Sequence, residues 1–237
     1  MKLYKVLGKG LISPYQNFKF VLGKKYTCRD FDENKNNDCS RGFYAVDVDG
    51  LPYASRPGTS IYLVDVSGKS VEIDQYKRRY EHIKTIRKCT KSEIVTAAIK
   101  KESGVGYKLS EVLYPVNPLT GKPEKVRKAD IKNLTDWDSV GDSVWDSVGA
   151  SVWASVRDSV GDSVWDSVMD SVGAYLSSLF PNIKKWKYID HEPEVNPFQS
   201  AIDLWHRGFV PSFDGKTWRL HSGKNAEIVY LHNYRGR

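Results

Sequence analysis

Short runs dense in β-branched and aromatic residues, each bounded by Gly, Pro, Asn or Asp, dominate the first ninety residues. Such runs predict strands at 2–7, 18–22, 42–46, 60–66 and 83–87. The clearest is Ile61-Tyr62-Leu63-Val64, which passes into Asp65-Val66-Ser67-Gly68-Lys69 as a strand enters a turn, with 71–73 returning as its hairpin partner. The period then changes. Thr90 and Glu93 have capping-box spacing, Ile94, Ala97, Ala98 and Lys101 share one face, and Gly104 supplies a stop, so a helix is predicted there. Three prolines between Pro115 and Pro123 exclude a helix and predict a loop or linker, and 125–134 reads as a short basic helix. Near the far end, Trp186 and Tyr188 alternate with lysines as in a half-buried strand. Asn196-Pro197 opens a short helix that runs through Trp205 and ends at Gly208. A turn is predicted at 211–216, and a closing hairpin pairs 217–221 with 227–232 over the loop 222–225.

Between these segments lies an array of a different kind. Nine four-residue units follow one another from Trp137 to Val172, and every one ends in Ser-Val. The first position takes Trp, Gly, Arg or Met and the second takes Asp or Ala, residues whose codons are close neighbours, as tandem duplication of a short DNA unit would produce. Ser-Val is then the structural constraint and position one the tolerant, outward position. Four residues advance an α-helix by about 400°, so the Val stripe drifts by about 40° per unit and goes about once round the helix over the array. A simple amphipathic surface helix is excluded. Two shapes remain. A close-packed helix is favoured, with Ser and Val forming the rows along which helices interdigitate and Ser allowing close approach. The alternative is a β-solenoid with Val inward and Asp-Ser at the corners. Regular Val and four Trp are too apolar for a solvated tail.

The chain is therefore predicted as α+β in four parts. These are a β-rich N-terminal domain with one helix at 1–114, a Pro-rich linker and short basic helix at 115–136, the repeat segment at 137–180, and a small strand-helix-hairpin segment at 181–237. Charge follows the same division. Residues 1–136 hold 26 Lys/Arg against 16 Asp/Glu, 137–180 hold one against seven, and 181–237 hold nine against six, for a net +7. An acidic block between two basic ones predicts docking against its own flanks, or a basic surface for nucleic acid or another anionic partner. No run of 18 apolar residues predicts a membrane span, and the N-terminus reads as a strand rather than a signal peptide. Cys28, Cys39 and Cys89 read as free thiols of a reducing cytoplasm, a Cys28–Cys39 pair being the alternative.

Catalytic motifs are missing. The sequence has no phosphate-binding glycine loop, no nucleophile elbow and no His-Glu-x-x-His, and its five histidines have no metal-ligand spacing with cysteines. No catalytic residue, metal site or cofactor is predicted, and a non-enzymatic role is favoured. Two sets of binding residues remain. Trp137, Trp145, Trp153 and Trp165, with Arg157, form an aromatic platform for a protein partner unless they pack against the flanking domains. Lys24, Lys25, Lys77, Arg78, Arg79, Lys184 and Lys185, interleaved with Tyr76, Tyr80, Trp186 and Tyr188, form a basic and aromatic surface for nucleic acid. A homo-oligomer is compatible with both.

Three stretches carry a resemblance. Lys2-Leu3-Tyr4-Lys5-Val6, Cys39-Ser40-Arg41-Gly42-Phe43-Tyr44 and Tyr62-Leu63-Val64-Asp65-Val66 together resemble a bacteriophage domain of unknown function. The run from Leu204 to His221 resembles the C-terminal segment of uncharacterised phage or prophage proteins, in which Ser-Val tetrad arrays also occur. The resemblance covers about two-thirds of the chain. It implies a phage or mobile-element origin and brings no activity with it. The repeat array, the segregated charge and the absent catalytic constellation favour a phage-derived interaction protein of the host cytoplasm that binds a host or phage macromolecule, in host takeover or counter-defence. A second resemblance is to ADP-ribosyltransferase-like folds, in the cadence of Gly42-Phe43-Tyr44-Ala45 before Tyr62-Leu63-Val64-Asp65-Val66. The sequence departs from that pattern: the first strand offers no Arg or His, and Glu72 and Asp74 do not form the expected acidic motif.

Overall fold

The computed structural model describes residues 3–138, 140, 162–186 and 191–233, with the side chains of 162–167 left aside. The chain is mixed α+β and divides into two compact units, Met1–Tyr114 and Pro115–Arg237.

In the first unit, strands β1 (Leu3–Leu7), β2 (Lys25–Thr27), β3 (Phe43–Val46), β4 (Ser60–Glu72) and β5 (Lys77–Lys88) form one antiparallel sheet. Its order is β2-β5-β3-β1-β4, and β4 also pairs with β5, so the sheet closes into a small barrel. Closure buries β1 on both faces. Leu3 and Leu7 join Phe20, Phe43, Ala45, Val64, Tyr80 and Ile83 on one side. Tyr4 and Val6 meet Val46, Val48 and Leu51 on the other. Three helices complete that second cluster: α1 (Leu51–Ala54), α2 (Lys91–Ile99) and α4 (Leu109–Leu113), the last preceded by the short α3 (Glu102–Val105). Ile94, Ala98 and Leu109 of α2 and α4 are fully buried there.

Three expectations are corrected. The strand through residue 66 does not turn at 67–69. It continues to Glu72 across a bulge at Ser67–Ser70, and Val71 and Glu72 pair with β5. Gly68 takes φ +78° in the bulge, where an added Cβ would lie 2.5 Å from the Glu81 carboxylate. The turn falls instead at Asp74, whose side chain accepts from the backbone N–H groups of Tyr76 and Lys77. Residues 18–22 are not a ladder strand. Their backbone bonds are spent on the neighbouring loop, Phe18 C=O accepting from Ser13 and Phe20 N–H donating to Leu11. Finally, α2 starts at the predicted Thr90–Glu93 box but stops at Ile99, and the left-handed C-cap belongs to Gly106, after α3.

The second unit holds α5 (Lys128–Asp138), α6 (Asp162–Ser177), α7 (Gln199–His206) and a three-stranded antiparallel sheet of β6 (Phe209–Phe213), β7 (Thr217–Ser222) and β8 (Glu227–Asn233), with β7 central. Pro211 and Ser212, expected in a turn, pair within β6 against Leu220 and Arg219, and the turn begins at Asp214. The boundaries expected at 136 and 180 do not mark separate bodies. Leu134 and Trp137 of α5, Ala174 of α6, Phe198, Leu204, Phe209, Trp218 and Leu220 share one core, because none of these segments carries enough apolar surface to close a core alone. The proline-rich stretch is not a free linker but is pinned to this unit. Val116 N–H donates to the Tyr175 hydroxyl, Val116 C=O accepts from the Trp205 indole, and Glu124 N–H donates to the Ser222 hydroxyl.

Where the array is described it is helical, as the end of α5 and as α6, with a turn at Val140. Serine allows close packing in α6: Ser171 is fully buried and Ser177 nearly so, and each hydroxyl returns its proton to a carbonyl three residues back, at 2.7 Å. Position one is not outward in every copy, since Trp137 is fully buried. Trp137→Ala is expected to cost about 3–5 kcal/mol, as loss of a buried aromatic does. Urea unfolding would check this, and a cost below about 1 kcal/mol would show that the ring is not in the core.

Candidate functional site

The predicted residues do not converge. Trp145, Trp153 and Arg157 lie outside the described residues, and Trp165 lies in α6 with its side chain outside them. Trp137 is a core residue and offers no platform. Lys24 and Lys25 are exposed at the start of β2, Lys24 over the Tyr26 ring. Arg78 pairs with Glu72, Lys77 with Asp38, and Lys184 with Glu194. Lys185 donates to the His191 carbonyl. Arg79 is fully buried and so is no phosphate ligand. Its guanidinium donates to the carbonyls of Asn37 (2.7 Å) and Asn34 (2.8 Å) and to the Tyr44 hydroxyl (3.2 Å), with Phe31 and Tyr44 beside it.

What the first unit does hold is a cavity of about 410 Å³. One wall comes from β1 and β3, through Tyr4, Lys5, Val6, Tyr44 and Val46. Tyr15, Tyr53, Arg56, Tyr76, Lys77, Asp38 and Cys39 complete it. The cavity opens where two strands part. β1 and β3 pair only at Tyr4 and Val46. Beyond that point the Lys5 side chain takes over the role of the ladder, its Nζ donating to Tyr44 C=O at 2.8 Å.

The rim is aromatic and basic. Tyr53 and Tyr76 stack with centroids 4.3 Å apart, and the hydrogen bond between their side chains pushes the Tyr76 phenol up to about 12. Arg56 lies over the Tyr15 ring at 5.4 Å, and Tyr15 donates to Ala54 C=O. Asp38 is neutralised by Lys77 at 2.5 Å, which holds its carboxyl below the usual range. Gln16 and Cys39 also line an adjoining open groove of about 590 Å³, whose walls include Phe18, Arg29, Arg41 and Phe43.

Lys5 is the unusual member of this wall. It sits in β1 at the same alternation as Leu3 and Leu7, facing the barrel interior, and is 7% exposed. Phe20 lies 5.2 Å from its Nζ, and among the described residues no carboxylate forms an ion pair with it. Burial alone pushes its pKa from 10.5 down to about 8.

Sequence reasoning missed Lys5, Tyr15, Tyr44, Tyr53 and Arg56. A signal existed for the first: a lysine at the inward phase of an otherwise apolar strand. Tyr53 and Arg56 follow Val48–Gly50 on α1 and the loop after it, and no periodicity points to them. Of the carboxylates noted for a transferase, Asp74 forms the turn at the cavity's edge, while Glu72 is engaged by Arg78. Among the described residues no three His, Cys, Asp or Glu side chains gather as a metal site, and no helix is long and apolar enough to cross a membrane. Comparison with known protein families, curated proteins and solved structures finds no match.

Two stability predictions follow from the buried cations. Arg79→Lys removes the fork that holds Asn34 and Asn37 and is expected to cost about 1–3 kcal/mol, with faster proteolysis between Cys28 and Gly42. Unchanged cleavage there would disprove the anchoring role. For Lys5 the folded pKa is depressed, so between pH 8 and pH 10.5 the unfolded chain holds a proton that the folded chain has released, and stability rises with pH. Below that window both states are protonated and the buried charge is a constant cost. Lys5→Met should therefore be more stable than the parent at pH 7, by about 2 kcal/mol, with the difference shrinking through the window. Urea unfolding of both proteins at pH 7 to 10 would check it, and a pH-independent difference would count against it.

Proposed function

We propose that this protein is a non-enzymatic binding protein whose N-terminal unit grips single-stranded nucleic acid, one nucleotide entering the cavity and its neighbours following the adjoining groove. The observation that carries the reading is the rim: a Tyr53–Tyr76 stack on one side, Tyr15 under Arg56 on another, and cations within the same wall. Stacking platforms beside cations are what a single strand requires, since every base has a π-face and every linkage a charge. The charge of the unit supports it, with 21 Lys/Arg against 13 Asp/Glu in residues 1–114. The resemblance to phage proteins supplies the setting, a macromolecule of phage or host.

A protein partner is the second reading. It is favoured by Leu176, Phe180 and Ile183, which expose apolar side chains where α6 ends, with Val195 exposed on the following segment.

A labelled thymidine oligonucleotide titrated at several salt concentrations tests the first reading. Affinity should fall as salt rises, and Tyr53→Ala and Arg56→Ala should each weaken it by about tenfold. All seven tryptophans lie beyond residue 114, so their emission serves as a check that the second unit is undisturbed. Absence of binding at low salt, or affinity indifferent to salt, would remove the reading.

A further inference from the structure

We propose that the cavity is also a carbonyl-capture site, in which the Lys5 amine forms a Schiff base with an anionic or aromatic aldehyde. The inference stands on the same cavity but not on nucleic acid being its occupant.

A buried lysine ordinarily faces a carboxylate, because an ammonium taken out of water needs a counter-charge. Lys5 faces a backbone carbonyl and a phenyl ring instead, at the seam where β1 and β3 separate and the cavity begins. A carbonyl accepts from the neutral amine as well as from the ammonium, though less strongly, and unlike a carboxylate it does not hold the nitrogen in its charged form, so this environment tolerates the form that attacks electrophiles. With a pKa of about 8, about a tenth of Lys5 is neutral at pH 7, against about three in ten thousand for an ordinary lysine. The other lysine of the wall is different: Lys77 is tied to Asp38 as an ion pair and stays protonated.

The chemistry needs no further reagent. The Nζ lone pair attacks the carbonyl carbon, the C–N bond forms, and the π electrons move to oxygen. The oxygen then leaves as water with the two protons of the amine, giving a neutral C=N bond with no net oxidation. The ligand class follows from the surroundings. Arg56 cannot form an imine but can hold an anionic group, and the Tyr53–Tyr76 pair offers a flat face for a ring.

The full-length protein would be treated at pH 7 with one equivalent of pyridoxal 5′-phosphate and cyanoborohydride, then mapped by peptide mass spectrometry. Among the lysines one adduct is expected, at Lys5, with every other lysine labelled at least about tenfold less, since exposed lysine side chains are almost wholly protonated. Lys5→Arg should lose the adduct; if that variant does not fold, the map of the parent protein decides alone. Labelling of Lys24 and Lys25 in preference to Lys5, or adducts spread over the surface lysines, would overturn the inference. Lys5 labelling without oligonucleotide binding would keep this site and remove the nucleic-acid reading, and oligonucleotide binding without labelling would do the reverse.

Discussion

The loop from Cys28 to Gly42 contains no helix or strand, and the fully buried guanidinium of Arg79 is its anchor. That group reaches from β5 beneath the loop and takes up two of its carbonyls, while Phe31 covers one side. Gly42 completes the arrangement: it holds φ +142°, and a Cβ there would lie 2.5 Å from the Arg79 side chain. Within the loop Asp32 gathers Ser40, Asn37 and the Asn34 N–H, and these hydrogen bonds hold its carboxyl far below the usual range. The wall of the cavity at Asp38 and Cys39 thus rests on one buried cation of β5, and a second buried cation, Lys5, joins the opposite strands. Both sites use backbone carbonyls as acceptors where a counter-ion would be expected.

The second unit solves a different problem. Among the described residues its sheet has three strands, and its core is assembled from large rings and small spacers. Tyr175 stacks on Trp205 at 5.4 Å and Phe213 on Trp218 at 4.9 Å. Ser171, Ala174 and Ser177 leave room for those rings on the buried side of α6. Polar ends of the rings are used as fasteners: the Trp205 indole holds the proline-rich stretch, and the Trp218 indole reaches Asp138 at 2.6 Å. Asp130, almost fully buried, caps the start of α5 through Arg127 N–H and receives Arg207 from the end of α7.

Local signals carried much of the fold. The Thr90–Glu93 box, the β-branched and aromatic runs at 2–7 and 42–46, and the C-terminal hairpin are properties of a few adjacent residues, and they read directly. What did not read was decided at long range. Ser67-Gly68-Lys69 has the composition of a turn, but Gly68 accommodates a bulge because Glu81 and His82 lie across the strand. Pro211 looks like a breaker, yet sits in an edge strand, where its missing N–H costs nothing. The candidate site was less legible than the fold. Basic clusters drew attention to Arg78 and Arg79, which turn out to be an ion-paired surface residue and a loop anchor. The cavity is composed of single residues from distant segments, Tyr15, Lys5, Tyr53 and Tyr76, brought together only when the barrel closes.

The described ends of the array, in α5 and α6, are both anchored in the same core, by Leu134 and Trp137 on one side and Ala174 on the other. Leu134 lies before the array, Trp137 in its first unit and Ala174 beyond its last. None of these anchor residues belongs to the five units from Gly141 to Val160. A change in the number of units would alter the length of the chain by multiples of four residues and its net charge by the aspartates those residues carry, without replacing any of these anchor side chains.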